Sequence, residues 1–156
     1  MRDALGGLFN ITLLFTFLFL ITGFVLFGIN YYKAFSVKNK IITTIEQYEG
    51  NMSNPKLKEK IEPYIRRLNY NARISENMVN NLKSGNDLEW DCNTFNDLGF
   101  CFAKDTSSSN TCLSTFLVKT FVNTDVPVFN SIFSSSSLFS VSGETKVIRS
   151  REDSCR

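Results

Sequence analysis

The stretch from Leu8 to Tyr48, LFNITLLFTFLFLITGFVLFGINYYKAFSVKNKIITTIEQY, decides the architecture. No charged residue occurs between Asp3 and Lys33, and Leu8 to Ile29 holds sixteen Leu, Ile, Phe or Val among twenty-two positions. At about 1.5 Å rise per residue this makes a helix of roughly 33 Å, enough to cross a hydrocarbon core of about 30 Å. Each large apolar side chain near the centre of such a helix contributes about −0.3 to −0.6 kcal/mol, so the sixteen supply on the order of −5 to −10 kcal/mol. Thr12, Thr16 and Thr22 are tolerated, because a hydroxyl can donate to the carbonyl of the preceding turn. Asn10 is the only strongly polar side chain in the span. The run exceeds the apolar region of a signal peptide and leads into GINYYKAF, which offers no small-x-small cleavage site. Tyr31, Tyr32 and Lys33 read as an interfacial aromatic belt and a snorkelling lysine. The expectation is a single-pass transmembrane helix over 8–30, in contact with membrane lipid and preceded by a tail or leader at 1–7.

The helical pattern continues past the apolar run. Ala34, Val37, Ile41, Ile45 and Tyr48 recur at spacings of three and four, with Lys33, Lys40 and Gln47 on other faces. Gly50 then supplies a stop. Residues 31–50 therefore read as an amphipathic extension of the same helix, about 63 Å long in all, whose second half needs a surface to pack against.

Outward from there, 51–87 reads as short helices and loop. Asn54 followed by Pro55 is an N-cap and a first-turn proline, and Leu57, Ile61, Tyr64, Ile65 and Leu68 give one apolar face. Pro63 removes an amide and predicts a kink or two short helices. From Asn69 to Asp87 the chain is Asn-rich and reads as loop. Residues 88–156 change to an extended pattern. Gly99–Lys104 and Cys112–Asn123 flank the polar turn Asp105–Thr111 and predict a β-hairpin. In the second strand the even-numbered positions 112–122 share one face and the odd-numbered ones 113–123 the other. Asp125 to Phe133 reads as a crossing segment, and Leu138–Ile148 as a last strand with Gly143 as bulge or turn point. The fold class expected is α+β, a long helix packed by a small antiparallel sheet.

Four cysteines, Cys92, Cys101, Cys112 and Cys155, lie in the last 65 residues. An even number in a small domain points to disulfides and an oxidising compartment. Their spacing contains no C-x-x-C and the chain has no histidine, so a metal site fits poorly. A Cys101–Cys112 bridge across the hairpin and a Cys92–Cys101 pair are both compatible with the spacing. Orientation is argued from two sides. Lys33, Lys38 and Lys40 after the span favour a cytoplasmic C-terminal domain by the positive-inside rule, whereas the cysteines favour an extracytoplasmic one. The cysteine argument weighs more, and the domain is expected outside the cytoplasm.

A net charge of +2 with no basic, aromatic-interleaved patch gives no footprint for nucleic acid. Without histidine the usual Ser-His and Cys-His nucleophile systems and most catalytic zinc sites are absent. Glu89 and Asp91 beside Trp90 read as a solvated acidic face, and Ser134–Ser137 as a loop. No catalytic residue, cofactor, metal ligand or small-molecule substrate is expected.

The N-terminal RDALGGLFNITLLFTF and the C-terminal VKTFVNTDVPVFNSIFSSSSLFSVSGETKVI, a strand, a Pro-containing crossing and a final G-x-T strand, resemble the TadE-like minor pilins and related type IV pilin-like proteins of low-GC Gram-positive bacteria. The resemblance implies a structural or accessory subunit, a minor pilin or pseudopilin, of a tight-adherence-type pilus or related secretion filament. Its partners would be other pilin-like subunits, met through the N-terminal helix. Asn10, Gly23 and Gly28 are the candidate helix-packing positions read from the residues themselves, although Gly23 and Gly28 do not form a G-x-x-x-G pair. The resemblance also implies leader cleavage after Gly6 or Gly7. Pilins of this plan carry Glu five residues after the cut; here Ile11 or Thr12 stands there, which favours an accessory place over a self-polymerising one. The alternative is a single-pass, membrane-anchored extracytoplasmic binding or assembly module unrelated to pili.

Overall fold

The computed structural model describes residues 2–72, 74, 79–80, 82, 88–106, 113–122 and 139–149. Helix α1 runs unbroken over Arg2–Gln47, so helix already covers most of the stretch expected to be an N-terminal tail. Its first half is bare. Every residue from Gly7 to Thr22 is exposed, and Phe24 is 70% exposed. Its second half carries the stripe Ala34, Val37, Ile41 and Ile45, all at 0% exposure, with Thr44 between them also fully buried.

α1 ends on two successive left-handed residues, Glu49 and the expected Gly50 (φ 74). The Gly50 amide donates to the Ile45 carbonyl (3.0 Å) and the Glu49 amide to that of Glu46 (3.2 Å), with Glu49 at φ 52. This paired arrangement satisfies two of the carbonyls left over at a helix end. Helix α2, Pro55–Arg67, starts as the sequence predicts, with Asn54 Oδ1 accepting from the Lys56 amide at 3.0 Å. It ends on the same device as α1. Tyr70 N–H donates to Ile65 (3.2 Å), Asn69 N–H to Arg66 (3.0 Å), and Asn69 stands at φ 49. Pro63 does not divide α2. Pro63 and Glu59, whose carbonyl the missing amide leaves unpaired, are both exposed, so water can take that carbonyl. Leu57, Ile61 and Ile65 are buried and α2 packs on α1.

The sheet has strands β1 (Trp90–Asp91), β2 (Phe100–Asp105), β3 (Leu113–Phe121), β4 (Ser140–Glu144) and β5 (Ile148–Arg149), in order β1-β2-β3-β4, with β5 also on β3. All pairings are antiparallel. The hairpin of β2 and β3 forms as expected, and the two faces of β3 sort as its alternation predicts. Ser114, Phe116, Val118 and Thr120 are buried, while Leu113, Thr115, Leu117 and Lys119 are half-buried. The buried face meets α1, where Thr120 Oγ1 donates to the Ala34 carbonyl at 3.0 Å.

Two expectations about the sheet are corrected. Cys101 lies opposite Lys119, so the hairpin pivots later in the chain than the midpoint of the 105–111 turn; of the two pairings compatible with the spacing, Cys92–Cys101 is the one formed. The last segment forms two strands, and Gly143 is neither bulge nor turn, since it pairs with Val118. Three residues, Thr145 to Val147, separate Glu144 from Ile148, but only Thr115 and Phe116 separate their partners Leu117 and Ser114. The extra residue makes the bulge at 145–147. Thr145 closes the gap: its amide donates to the Phe116 carbonyl (2.9 Å) and its Oγ1 accepts from the Phe116 amide (3.0 Å). Gly143 serves the packing in a different way. A Cβ there would lie 2.8 Å from Ile42 Cδ1 and 3.0 Å from Lys38 Cδ, so glycine lets α1 approach the sheet. The crossing segment expected at Asp125–Phe133, the serine run Ser134–Ser137, and Cys112 and Cys155 lie outside the described residues.

Candidate membrane anchor and its junction with the domain

α1 is the one helix among the described residues long and apolar enough to cross a membrane. Its polar side chains behave as a low-dielectric setting requires. Thr12, Thr16 and Thr22 each donate a hydroxyl hydrogen bond to the carbonyl four residues earlier, at 2.8 to 2.9 Å. Asn10 is exposed on the bare half. Gly6 and Gly7 both lie inside α1. Gly23 is buried, whereas a Cβ added at Gly7 or Gly28 would meet nothing within 4 Å. These positions are therefore spread along the helix, and the fold does not gather them into one site.

The junction begins at Phe27. Its ring meets Phe139 edge-on at 5.0 Å and Tyr31 at 6.3 Å, so the sheet reaches α1 just where the apolar run is ending. Tyr31 and Tyr32 are exposed and Lys33 is half-buried, with Lys33 Nζ 3.5 Å from the Asn69 carbonyl. A polar cavity of about 250 Å³ opens here, lined by Asn30, Lys33, Asn69, Tyr70 and Asn71.

Tyr70 is the residue that sequence reasoning missed. Placed in an Asn-rich stretch read as loop, it is 8% exposed and belongs to the core. Its hydroxyl accepts from the Phe121 amide (3.0 Å) and sits 2.9 Å from the carbonyls of both Gly99 and Phe121. It thus ties the end of α2 to the ends of β2 and β3. Burial pushes the Tyr70 hydroxyl pKa well above its ordinary value, partly offset by the Phe121 amide. A lone aromatic between Tyr64 and Trp90 was the available signal. The same corner explains Gly99, which stands at φ 71 with room for no Cβ, since one would fall 2.5 Å from the Ala72 carbonyl oxygen.

Cys92 and Cys101 are joined (Cα–Cα 4.3 Å) and buried, which fastens the segment after β1 to β2. Between them Phe95 stacks on Phe100 at 4.9 Å. The carboxylate of Asp91 serves this turn. It accepts from the Asn93 amide (2.9 Å), the Thr94 amide (3.0 Å) and the Thr94 hydroxyl. Desolvation acts to raise its pKa, but these hydrogen bonds prevail and hold the carboxyl below its usual range. Asp91 is thus committed to a turn, and Glu89 is exposed. Among the described residues no group of three or more Cys, Asp or Glu is placed to hold a metal ion.

Comparison of the chain with protein-family models, with curated proteins and with solved structures gives no match.

Proposed function

We propose that this chain is a single-pass, membrane-anchored structural subunit, with the pilin-like plan its sequence resembles, in an accessory place within a surface filament or secretion pseudopilus. The observation that carries the reading is the division of α1 into an exposed apolar half and a half buried under an antiparallel sheet. A helix of this kind can hold a domain at the membrane and present a long apolar surface to neighbouring helices. Neither a catalytic group nor a cofactor has a part in the proposal.

The proposed orientation puts the domain outside the cytoplasm. Reagents directed at the native cysteines test this poorly, because Cys92 and Cys101 are buried. A Lys58→Cys variant places a thiol on the exposed face of α2. In intact cells a membrane-impermeant maleimide should label it above the background of the unsubstituted chain. Labelling only after lysis would reverse the orientation. The filament reading is tested by Gly28→Cys, whose position meets nothing within the chain. A photoactivatable cross-linker attached to that thiol, irradiated in native membranes, should capture a second apolar helix. A chain that stays uncross-linked there and at Gly7→Cys supports the alternative, an anchored binding or assembly module that works without helix neighbours.

A further inference from the structure

The cavity at the junction combines features that the anchor reading does not use. All five lining residues are polar, none is acidic, and the one charge among them is Lys33. Asparagine carboxamides donate hydrogen bonds without carrying a charge of their own, so an entering anion meets donors and no carboxylate. Lys33 is half-buried, with its amine drawn toward the Asn69 carbonyl by the left-handed turn that ends α2. The last turn of α2, immediately before Asn69, adds Arg66 and Arg67 to the same end of the domain. Arg66 is partly neutralised by Glu62 at 2.7 Å, and Arg67 lies 5.5 Å over the Tyr64 ring.

Depth in the bilayer fixes what this end would face. If Leu8–Ile29 fills the hydrocarbon core, Lys33 lies four residues beyond it, about 6 Å along the helix. Each headgroup layer is about 5–8 Å thick, so the cavity mouth stands within it. We propose that the cavity receives the phosphate of an anionic phospholipid headgroup, with Lys33 Nζ as its charge partner and a polar lining that includes Asn30 and Asn71. The inference rests on α1 being a membrane anchor. It makes the domain sit on the leaflet surface in a fixed rotation, where the anchor alone would let it swivel.

The test uses the full chain. Flotation with liposomes first establishes anchoring. The anchored chain, in detergent micelles, is then titrated with short-chain phosphatidylglycerol, with phosphatidylcholine and with inorganic phosphate, following the carboxamide NMR signals of Asn30 and Asn71. Phosphatidylglycerol should shift them saturably and more tightly than either alternative. Lys33→Gln should weaken that binding about tenfold, as loss of one charge-assisted hydrogen bond implies, while Lys58→Gln, on the exposed face of α2, leaves it unchanged. Equal response to the two lipids, or an affinity unchanged by Lys33→Gln, overturns the inference. Inorganic phosphate binding as tightly as the lipid would assign the cavity to a soluble anion and overturn the lipid source. A chain that does not float defeats the anchor reading itself, whereas one that floats and shows no lipid preference defeats only the headgroup site.

Discussion

The two halves of α1 are one continuous helix built from similar apolar residues, yet their surroundings are opposite. Ile21 is 45% exposed and Ile41 fully buried, twenty residues apart on the same axis. Helix propensity and backbone hydrogen bonding do not distinguish them. What differs is the pattern: apolar residues all round before Ile29, and a stripe bounded by lysines and polar residues after it. A helix apolar on every face is matched to lipid, and a helix apolar on one face is matched to a sheet. α1 joins the two without a break, so one helix carries both kinds of surface.

The sharpest way to break this comparison is a matched pair of truncations. Ile41→Ala should lower the unfolding free energy of the domain by about 2–5 kcal/mol, while Ile21→Ala leaves it unchanged. Denaturation in micelles, read by the fluorescence of buried Trp90, measures both. Equal losses would mean that the halves are not independent. Reduction of Cys92–Cys101, or Cys92→Ser with Cys101→Ser, comes next. Closing a loop of sequence separation 9 corresponds to about 2–3 kcal/mol on the chain-entropy view, visible as a lowered melting temperature.

Tyr70→Phe should cost about 1–3 kcal/mol, because it leaves the Phe121 amide without its buried partner. It also carries a pH signature. The folded-state pKa of Tyr70 is raised, so its contribution is fully present below the unfolded value of about 10 and falls as pH rises above it, by about 1.4 kcal/mol per unit. Stability measured from pH 9 to 11 should bend downward near 10 in the parent chain and lack that component in Tyr70→Phe. The smallest effect expected is Asn54→Ala, about 1 kcal/mol from the lost cap on α2, measured by the same denaturation.

Local features were legible in the sequence to the extent that their causes are local. The Asn54-Pro55 start, the alternation of β3 and the stripe on α1 each express a period or a cap within a few residues. The register of β2 against β3 was not legible from the turn, because the pivot is chosen by which side chains reach the core. Phe116, Val118 and Thr120 lie on the buried face that meets α1, which sets the pairing. Gly143 was visible as a glycine but not as a contact, since the side-chain ends that a Cβ would displace come from Ile42 and Lys38, about a hundred residues earlier. The candidate junction was half legible. Tyr31, Tyr32 and Lys33 announce an interface by position, while Asn69 and Asn71 reach it only because α2 folds back along α1.

From the sequence alone follow the length and apolar character of the first half of α1, its continuation as an amphipathic helix, and the α+β division of the chain. These follow from composition and period, which act along the backbone. Only the tertiary structure decided that Cys92 pairs with Cys101, that Tyr70 binds the ends of β2 and β3, that the last segment bends at Thr145, and that a polar cavity opens beside Lys33. Each of these depends on groups far apart in the chain meeting across a packed core. Where they meet is fixed by packing and hydrogen-bond satisfaction, which no local pattern encodes.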